Sequence, residues 1–126
     1  QAAPYIQVFY EDRLIRFDAQ PEAVNGRTMV PVRFIAEALG YQVEYAAGEQ
    51  RITLAGDDRT IEFRLGQAEI TLRTADGEVV RRNIDAAPYA KSDRTYVPVR
   101  FFAEIIGLDV AWIQDQKLVI LRHKAD

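Results

Sequence analysis

The sequence contains no cysteine and a single histidine, His123. Without cysteine the chain can form no disulfide bond, no thiolate metal site and no thiol nucleophile. One histidine cannot supply a metal site that needs two or three imidazoles, such as the HExxH zinc motif. We interpret His123, which lies near the end of the chain, as incidental, and we expect neither a metal nor a cofactor.

Long apolar runs and an excess of positive charge are also missing. No run approaches the roughly 20 apolar residues that cross a bilayer, so we expect no membrane insertion. The 16 Lys and Arg are scattered among 19 Asp and Glu, and the net charge is −3. We expect no nucleic acid partner, because phosphate binding requires a concentrated basic surface.

The residues that are present suit a small globular domain. The chain has 126 residues, of which 48% are apolar and 28% are charged. A domain of this size buries roughly two thirds of its unfolded surface and needs no cross-links to fold. The sequence opens with "QAAP" and no Met, which resembles the remnant after a removed export signal. An extracellular or cell-wall associated location is therefore expected.

One fourteen-residue motif occurs twice. "RTMVPVRFIAEALG" (27–40) returns as "RTYVPVRFFAEIIG" (94–107), with ten identical positions at an offset of 67. The similarity continues upstream, and downstream "YQVEY" matches "LDVAW" and, after one deletion, "RITLA" matches "KLVIL". This duplication predicts two repeats, at about 5–58 and 59–123, and the lack of a linker predicts one fused domain over 1–126.

Each copy of the motif predicts a strand followed by a short helix. The residue before a proline is pushed towards extended backbone, and a proline fits the first turn of a helix. Apolar residues then follow at helical spacing, and a glycine stands where a left-handed residue ends a helix. The predicted helices have about nine residues, and their apolar stripes are Val32, Ile35, Ala36 and Leu39, and Val99, Phe102, Ala103 and Ile106, before Gly40 and Gly107.

Alternating patterns elsewhere predict strands. "YIQVFYEDRLIRF" indicates a hairpin turning at Glu11 and Asp12, and Asp76-Gly77 indicates a second hairpin. The segment from about Arg51 to Ile84 is typical of an antiparallel meander. We therefore predict an α+β fold of two pseudo-symmetric repeats, each a short helix packed on antiparallel strands. The meander would fuse the repeats, and the N-terminal hairpin would complete the sheet around the second helix.

Arg33 and Glu37 stand four residues apart on the first predicted helix, as Arg100 and Glu104 do on the second. One interpretation is a pair of symmetry-related acid/base or ligand-binding groups. The other, which we favour, is a structural motif with an ion pair on the solvated edge of each helix.

The chain has one Trp, six Tyr and six Phe. The spacing of Tyr45 and Trp112 from Val43 and Val110 predicts that both rings pack in the core. The other tyrosines could form an exposed platform for a sugar or a peptide, and the candidates are Tyr5, Tyr10, Tyr41, Tyr89 and Tyr96. Free strand edges are a second candidate surface, for strand addition by a partner or a dimer.

The two stretches "VNGRTMVPVRFIAEALGYQVEY" and "DRTYVPVRFFAEIIGLDVAW" resemble the copper amine oxidase N-terminal-like, or stalk, domain family. The resemblance covers nearly the whole chain. It implies an antiparallel sheet around a helix, in exported proteins of Gram-positive bacteria. It does not imply amine oxidation, since in the namesake enzyme this region is an appendage separate from the copper and quinone chemistry, and one histidine excludes a three-histidine copper site.

Other enzyme chemistry has little support. Asp57 and Asp58, together with Asp76 or Glu78, could hold a weak calcium ion, but solvated turns explain them better. We expect no catalytic residues. The leading interpretation is a non-catalytic extracellular module that spaces, anchors or scaffolds. The alternative is a module that recognises cell-wall glycan, polysaccharide or peptide, with a wall polymer or the other domains of the parent protein as partners.

Overall fold

The computed structural model describes residues 5–124. Within that range the chain forms two α-helices, thirteen strands and two single turns of 3-10 helix. In chain order the elements are β1 (Gln7–Tyr10), β2 (Arg13–Leu14), β3 (Glu22–Val24), β4 (Arg27–Pro31), α1 (Val32–Ala38), β5 (Gln42–Ala46), β6 (Arg51–Ala55), β7 (Arg59–Arg64), β8 (Glu69–Thr74), β9 (Val79–Asn83), β10 (Tyr89–Lys91), β11 (Arg94–Pro98), α2 (Val99–Ile105), β12 (Leu108–Ile113) and β13 (Leu118–His123).

The predicted α+β class is wrong, because the protein is predominantly β. Strands make up 51% of the structure and helices 16%. The strands form three sheets, and the described residues contain only two α-helices. Each helix has seven residues rather than the expected nine. The left-handed glycines that follow, Gly40 (φ 89°) and Gly107 (φ 88°), end the helices after two turns. The chain before each helix also forms a hairpin, β3–β4 or β10–β11. The first strand of each hairpin, β3 or β10, was not predicted.

A four-stranded sheet, which we name the central sheet, joins the two halves of the chain. Its order is β10-β11-β4-β3, and all its pairs are antiparallel. Val30 lies opposite Val97 where β4 meets β11. These two valines are equivalent by the offset of 67, so a pseudo-twofold axis passes between them. Each helix starts directly from one of the two central strands.

A five-stranded antiparallel sheet follows the first helix, in the order β5-β6-β7-β8-β9. This sheet confirms the predicted meander, although it begins earlier, at Gln42. Its strands alternate as predicted, with Ile52, Leu54, Ile61 and Phe63 at most 3% exposed. The predicted turn at Gly77 is present with φ 92°.

The third sheet has the order β12-β13-β1-β2. The predicted N-terminal hairpin is confirmed as β1 and β2, with Glu11 and Asp12 at positive φ in its turn. This hairpin completes the sheet of the second half, as expected. Strand β1 lies beside β13 and runs parallel to it, with Gln7 opposite Leu118 and Tyr10 opposite Leu121.

The two halves keep the same register without the deletion that we inferred. Val43 lies opposite Leu54 in the first half, and Val110 lies opposite Leu121 in the second. Both pairs correspond at the offset of 67, so the single deletion is wrong. The buried stripes of both helices and the inner faces of all three sheets share one hydrophobic cluster. A single fused domain stays a prediction that this shared core supports.

Candidate functional site

The Arg and Glu residues of the repeated motif lie on exposed helix faces. Arg33 Nη1 is 3.5 Å from Glu37 Oε2, and about half of each side chain is exposed. Arg100 and Glu104 are also exposed, and they line a different cleft from Arg33. The structure therefore does not bring the four residues together, and the apolar stripes of both helices face the core.

The five candidate tyrosines lie in several parts of the fold. Tyr5 is 57% exposed. The hydroxyl of Tyr10 is 2.5 Å from Nε2 of His123. Tyr41 packs beside Gly56, where its ring leaves no room for a Cβ. An exposed platform made by these tyrosines stays a prediction.

Tyr89 and Tyr96 are the only two of the five with stacked rings in the described part of the chain. Their centroids are 5.3 Å apart and their planes differ by 4°. Tyr89 donates a hydrogen bond to Glu22, and Tyr96 donates one to the carbonyl of Gln20. Burial and the bond to Glu22 raise the pKa of Tyr89 well above its usual value. These hydroxyls are therefore already engaged in holding the central sheet.

Two clefts lie between the halves of the chain, and they are related by the pseudo-twofold axis. The large cleft has a volume of about 790 Å³, and its lining includes Arg27, Asp85, Arg100, Glu104, Trp112 and Lys117. The small cleft has a volume of about 280 Å³, and its lining includes Asp18, Val32, Arg33, Tyr45, Arg94 and Thr95. At the offset of 67, Arg27, Asp85, Arg100 and Trp112 correspond to Arg94, Asp18, Arg33 and Tyr45.

An ion pair between the halves closes one side of the small cleft. Arg94 binds Asp18 with two parallel hydrogen bonds, Nε to Oδ1 at 2.8 Å and Nη2 to Oδ2 at 2.6 Å. The bond from Arg94 lowers the pKa of the Asp18 carboxyl. The guanidinium of Arg33 lies 5.6 Å from the centre of the Tyr45 ring. The polar groups of the small cleft are thus largely satisfied by one another.

The charged groups of the large cleft are less completely paired than those of the small cleft. Arg27 Nε lies 2.8 Å from Asp85 Oδ2, but this buried nitrogen makes no well-aligned hydrogen bond within residues 5–124. The same guanidinium donates from Nη1 to the carbonyl of Asn25 at 3.0 Å. For Arg100 and Lys117 the described residues provide no ion-pair partner within 4.0 Å.

The expectation that Tyr45 and Trp112 pack in the core is wrong, since they are 46% and 39% exposed. Both share a strand face with a half-buried valine, Val43 or Val110, as the period of two requires. A seven-residue helix is about 10 Å long, whereas a six-residue strand extends about 20 Å. Strand β12 therefore runs past α2, and Trp112 lies on its uncovered end. The position of both aromatic residues close to the strand end could have signalled this.

The acidic side chain of the β8–β9 turn is held by local hydrogen bonds. Asp76 accepts hydrogen bonds from Thr74 and from the backbone N–H of Glu78, which close the β8–β9 turn. The bond from Thr74 lowers the pKa of Asp76. No group of three or more His, Asp or Glu suited to a metal occurs among residues 5–124. In the same range no helix has the length and apolar character needed to cross a membrane.

The family comparison agrees with the motif. A model described as the copper amine oxidase N-terminal domain matches residues 9–121. Comparisons with curated proteins and with solved structures give no match.

Proposed function

Because the chain belongs to the copper amine oxidase N-terminal domain family, we propose that it is a non-catalytic extracellular module that spaces, anchors or scaffolds. In copper amine oxidases this domain is a non-catalytic accessory domain. In this role the chain carries load or holds a distance between neighbouring parts of a larger assembly.

The observation that carries this proposal is the parallel pairing of β1 and β13. The backbone N–H of Gln7 donates to Lys117 O, and the N–H of Glu11 donates to Leu121 O, both at 3.0 Å. Because the strands are parallel, β1 starts at one end of the sheet and β13 finishes at the other. Tension applied along the chain therefore loads these bonds in shear, so that several must break together.

This geometry suits a spacer. The chain enters at one end of the β1–β13 pair and leaves at the other, so consecutive modules can continue in one direction. The β1–β13 pair bears the load. The strands of the core therefore do not separate before this pair does. The buried faces of Val8, Val119 and Leu121, each at most 2% exposed, hold the pair against the core.

Single-molecule pulling tests the proposal. Pulling between the chain ends should give a high rupture force, since forced unfolding follows the unfolding rate. In a second experiment the chain is pulled between its N-terminus and a thiol introduced by Asp115→Cys, which is unique because the chain has no cysteine. Residue 115 lies just before β13, and β13 begins opposite the start of β1, so this force loads both strands from the same end. The bonds then open one after another, and we expect a clearly lower force.

A matched pair of variants at Gln7 sharpens this test. Gln7→Pro removes the N–H that bonds to Lys117, whereas Gln7→Ala keeps it. The proline variant should lower the end-to-end rupture force, and the alanine variant should leave it near that of the wild type. Equal forces in the two pulling directions, or no difference between the two variants, would contradict a load-bearing spacer.

The extracellular location needs its own experiment. We expect the protein that carries this chain to be accessible to added protease on intact cells, with its export signal removed. Protection from protease until the cells are lysed would contradict an exported module.

Recognition of a cell-wall polymer is the second candidate function, and the large cleft is the observation that favours it. Retention on insoluble peptidoglycan, chitin or cellulose would support recognition. Two alanine variants would then locate the binding surface. Weaker retention of Tyr5→Ala would indicate the tyrosine platform, and weaker retention of Trp112→Ala would indicate the large cleft. A polymer could also bind at free strand edges, in which case neither replacement would weaken retention.

A further inference from the structure

The two clefts start from the same motif but differ in what they leave unsatisfied. In the small cleft, Asp18 occupies both arms of the Arg94 fork. In the large cleft, Asp85 meets Arg27 only at Nε, and without good hydrogen-bond alignment. The large cleft also has almost three times the volume, about 790 Å³ against about 280 Å³. That volume falls within the usual range of about 300–1,000 Å³ for ligand pockets.

The charge of the large cleft favours an anionic ligand. Its lining carries three cations, Arg27, Arg100 and Lys117, and two carboxylates, Asp85 and Glu104, which gives +3 − 2 = +1. The chain as a whole carries −3. Asp85 lies against Arg27, so Arg100 and Lys117 are the cations that face the cleft without an ion-pair partner among the described residues. A guanidinium presents a planar fork that matches a carboxylate.

The large cleft also offers a flat apolar surface. Trp112 is 39% exposed, and Val110 and Val119 line the cleft beside it. A half-exposed aromatic ring next to polar side chains suits a ligand with one apolar face and a polar rim. A pyranose ring has this form, since its C–H bonds can lie against the indole while its hydroxyls reach neighbouring donors and acceptors.

We propose that the large cleft binds a saccharide that carries a carboxylate. Trp112 stacks against the sugar ring. Arg100 and Lys117 bind the carboxylate. Glu104 and Gln114 line the same cleft. The carboxylate of Glu104 accepts hydrogen bonds from the sugar hydroxyls, and the amide of Gln114 both donates to them and accepts from them.

A saccharide fits this cleft better than a peptide does. Peptides that add to a sheet edge use backbone hydrogen bonds and place alternate side chains in apolar pockets. The large cleft instead has one aromatic surface surrounded by charged and amide side chains. This proposal does not depend on the spacing function, and it gives the second candidate function a defined site and a ligand class.

Fluorescence titration of the intact chain provides the first test. The chain contains a single tryptophan, Trp112, so its emission reports on the large cleft directly. Tetragalacturonate should change the emission saturably, and the binding should weaken as salt is added. Neutral tetragalactose of equal length should bind at least about tenfold more weakly, because a charge-assisted bond is lost. Equal affinity for the two sugars would overturn the carboxylate assignment.

Matched variants locate the site. Calorimetric titration with tetragalacturonate should show about a tenfold or larger loss of affinity in Arg100→Ala, but no loss in Arg33→Ala, the equivalent change in the small cleft. Trp112→Ala should weaken binding, and Tyr45→Ala should not. Unchanged far-UV circular dichroism and thermal midpoints would show that each variant is folded.

The remaining outcomes are equally decisive. Absence of any signal with tetragalacturonate in both titrations would overturn the proposal, as would a loss of affinity confined to Arg33→Ala. Tighter binding of an acidic tetrapeptide than of tetragalacturonate would overturn the saccharide class in favour of a peptide. The pulling experiments at Gln7 are independent of all these results, so failure of this site would leave the spacing function standing, and the reverse holds as well.

Discussion

Leu54 and Leu121 provide a test of whether the two halves of the chain fold as one unit. They are equivalent at the offset of 67, and both are 0% exposed. Leu54 lies on β6 in the meander, and Leu121 lies on β13 beside β1. We expect that replacing either one by alanine destabilises the whole chain, because both side chains belong to the same hydrophobic cluster.

The expected magnitude follows from burial. Replacing a buried leucine by alanine costs about 2–5 kcal/mol, from lost transfer free energy and from the cavity left behind. A protein of this size has a total stability of about 5–15 kcal/mol. An unfolding entropy of about 2.1 cal/mol/K per residue over 126 residues converts the loss to a drop of roughly 8–19 °C in the thermal midpoint.

Two probes separate one folding unit from two. Far-UV circular dichroism follows the strands of the whole chain, whereas the fluorescence of Trp112 reports on the surroundings of β12 in the large cleft. In denaturant titrations of Leu54→Ala, both probes should show the same lowered midpoint, although the substitution lies in the first half. Leu121→Ala should likewise lower the midpoint seen by both probes to the same value.

One result would refute this reasoning. If Leu54→Ala lowered only a part of the circular dichroism transition and left the fluorescence midpoint unchanged, the halves would be independent units. Val79→Ala is a suitable control, because Val79 is 43% exposed. We expect it to change the stability by no more than about 0.5 kcal/mol.

Three further predictions concern turns and charges. Gly40→Ala should cost about 1–2 kcal/mol in denaturant titrations, because Gly40 has φ 89° and a Cβ there meets no atom within 4 Å, so the cost is conformational alone; no change would contradict the left-handed helix end. Gly56→Ala should cost about 1–3 kcal/mol, because the new Cβ would lie 2.7 Å from Cε2 of Tyr41, and Tyr41→Ala in the same background should remove part of that cost. The hydrogen bond from Arg94 lowers the pKa of Asp18 in the folded protein. The ionised Asp18 therefore contributes its full stabilisation at a pH above the pKa of an unfolded Asp, about 3.9, and this contribution is lost as the pH falls through the lower pKa of the folded protein. Asp18→Asn should therefore make the denaturant midpoint less sensitive to pH below about 4, and an unchanged acid dependence would contradict this role.

Several elements were predictable because their signals are local. The proline before each helix, the apolar spacing after it and the closing glycine lie within fourteen residues, and they predicted α1 and α2 to within two residues. The turn at Glu11 and Asp12 and the turn at Gly77 marked hairpins in the same way. The strict alternation of Ile61 and Phe63 with polar residues marked a strand with one buried face.

The fold class was mispredicted for a reason that these local signals do not contain. The segments before Arg27 and Arg94 carry little alternation, and they become strands β3 and β10 because a neighbouring strand offers its free edge. Tertiary context routinely decides such short strands. The helices, in turn, end early enough that the sheets dominate.

The candidate site was only partly predictable. Arg100 and Glu104 were identified from the repeated motif, but Trp112 was assigned to the core. The period of two shows which face of β12 Trp112 occupies, yet it cannot show how far the covering helix extends. Arg27 and Asp85 are also 58 positions apart in the sequence, and no local pattern pairs them.

The amino-acid sequence by itself determined the duplication, the proline-helix-glycine unit in each copy and the alternating strands of the meander. Each of these depends on backbone preferences and side-chain periodicity within a few neighbouring residues. Only the tertiary structure decided that β4 meets β11 across a pseudo-twofold axis, that β1 runs parallel to β13, and that the two clefts between the halves differ in volume and in the pairing of their charges. Those features depend on which distant surfaces bury each other, and the energy of that burial is shared among residues that no short stretch contains.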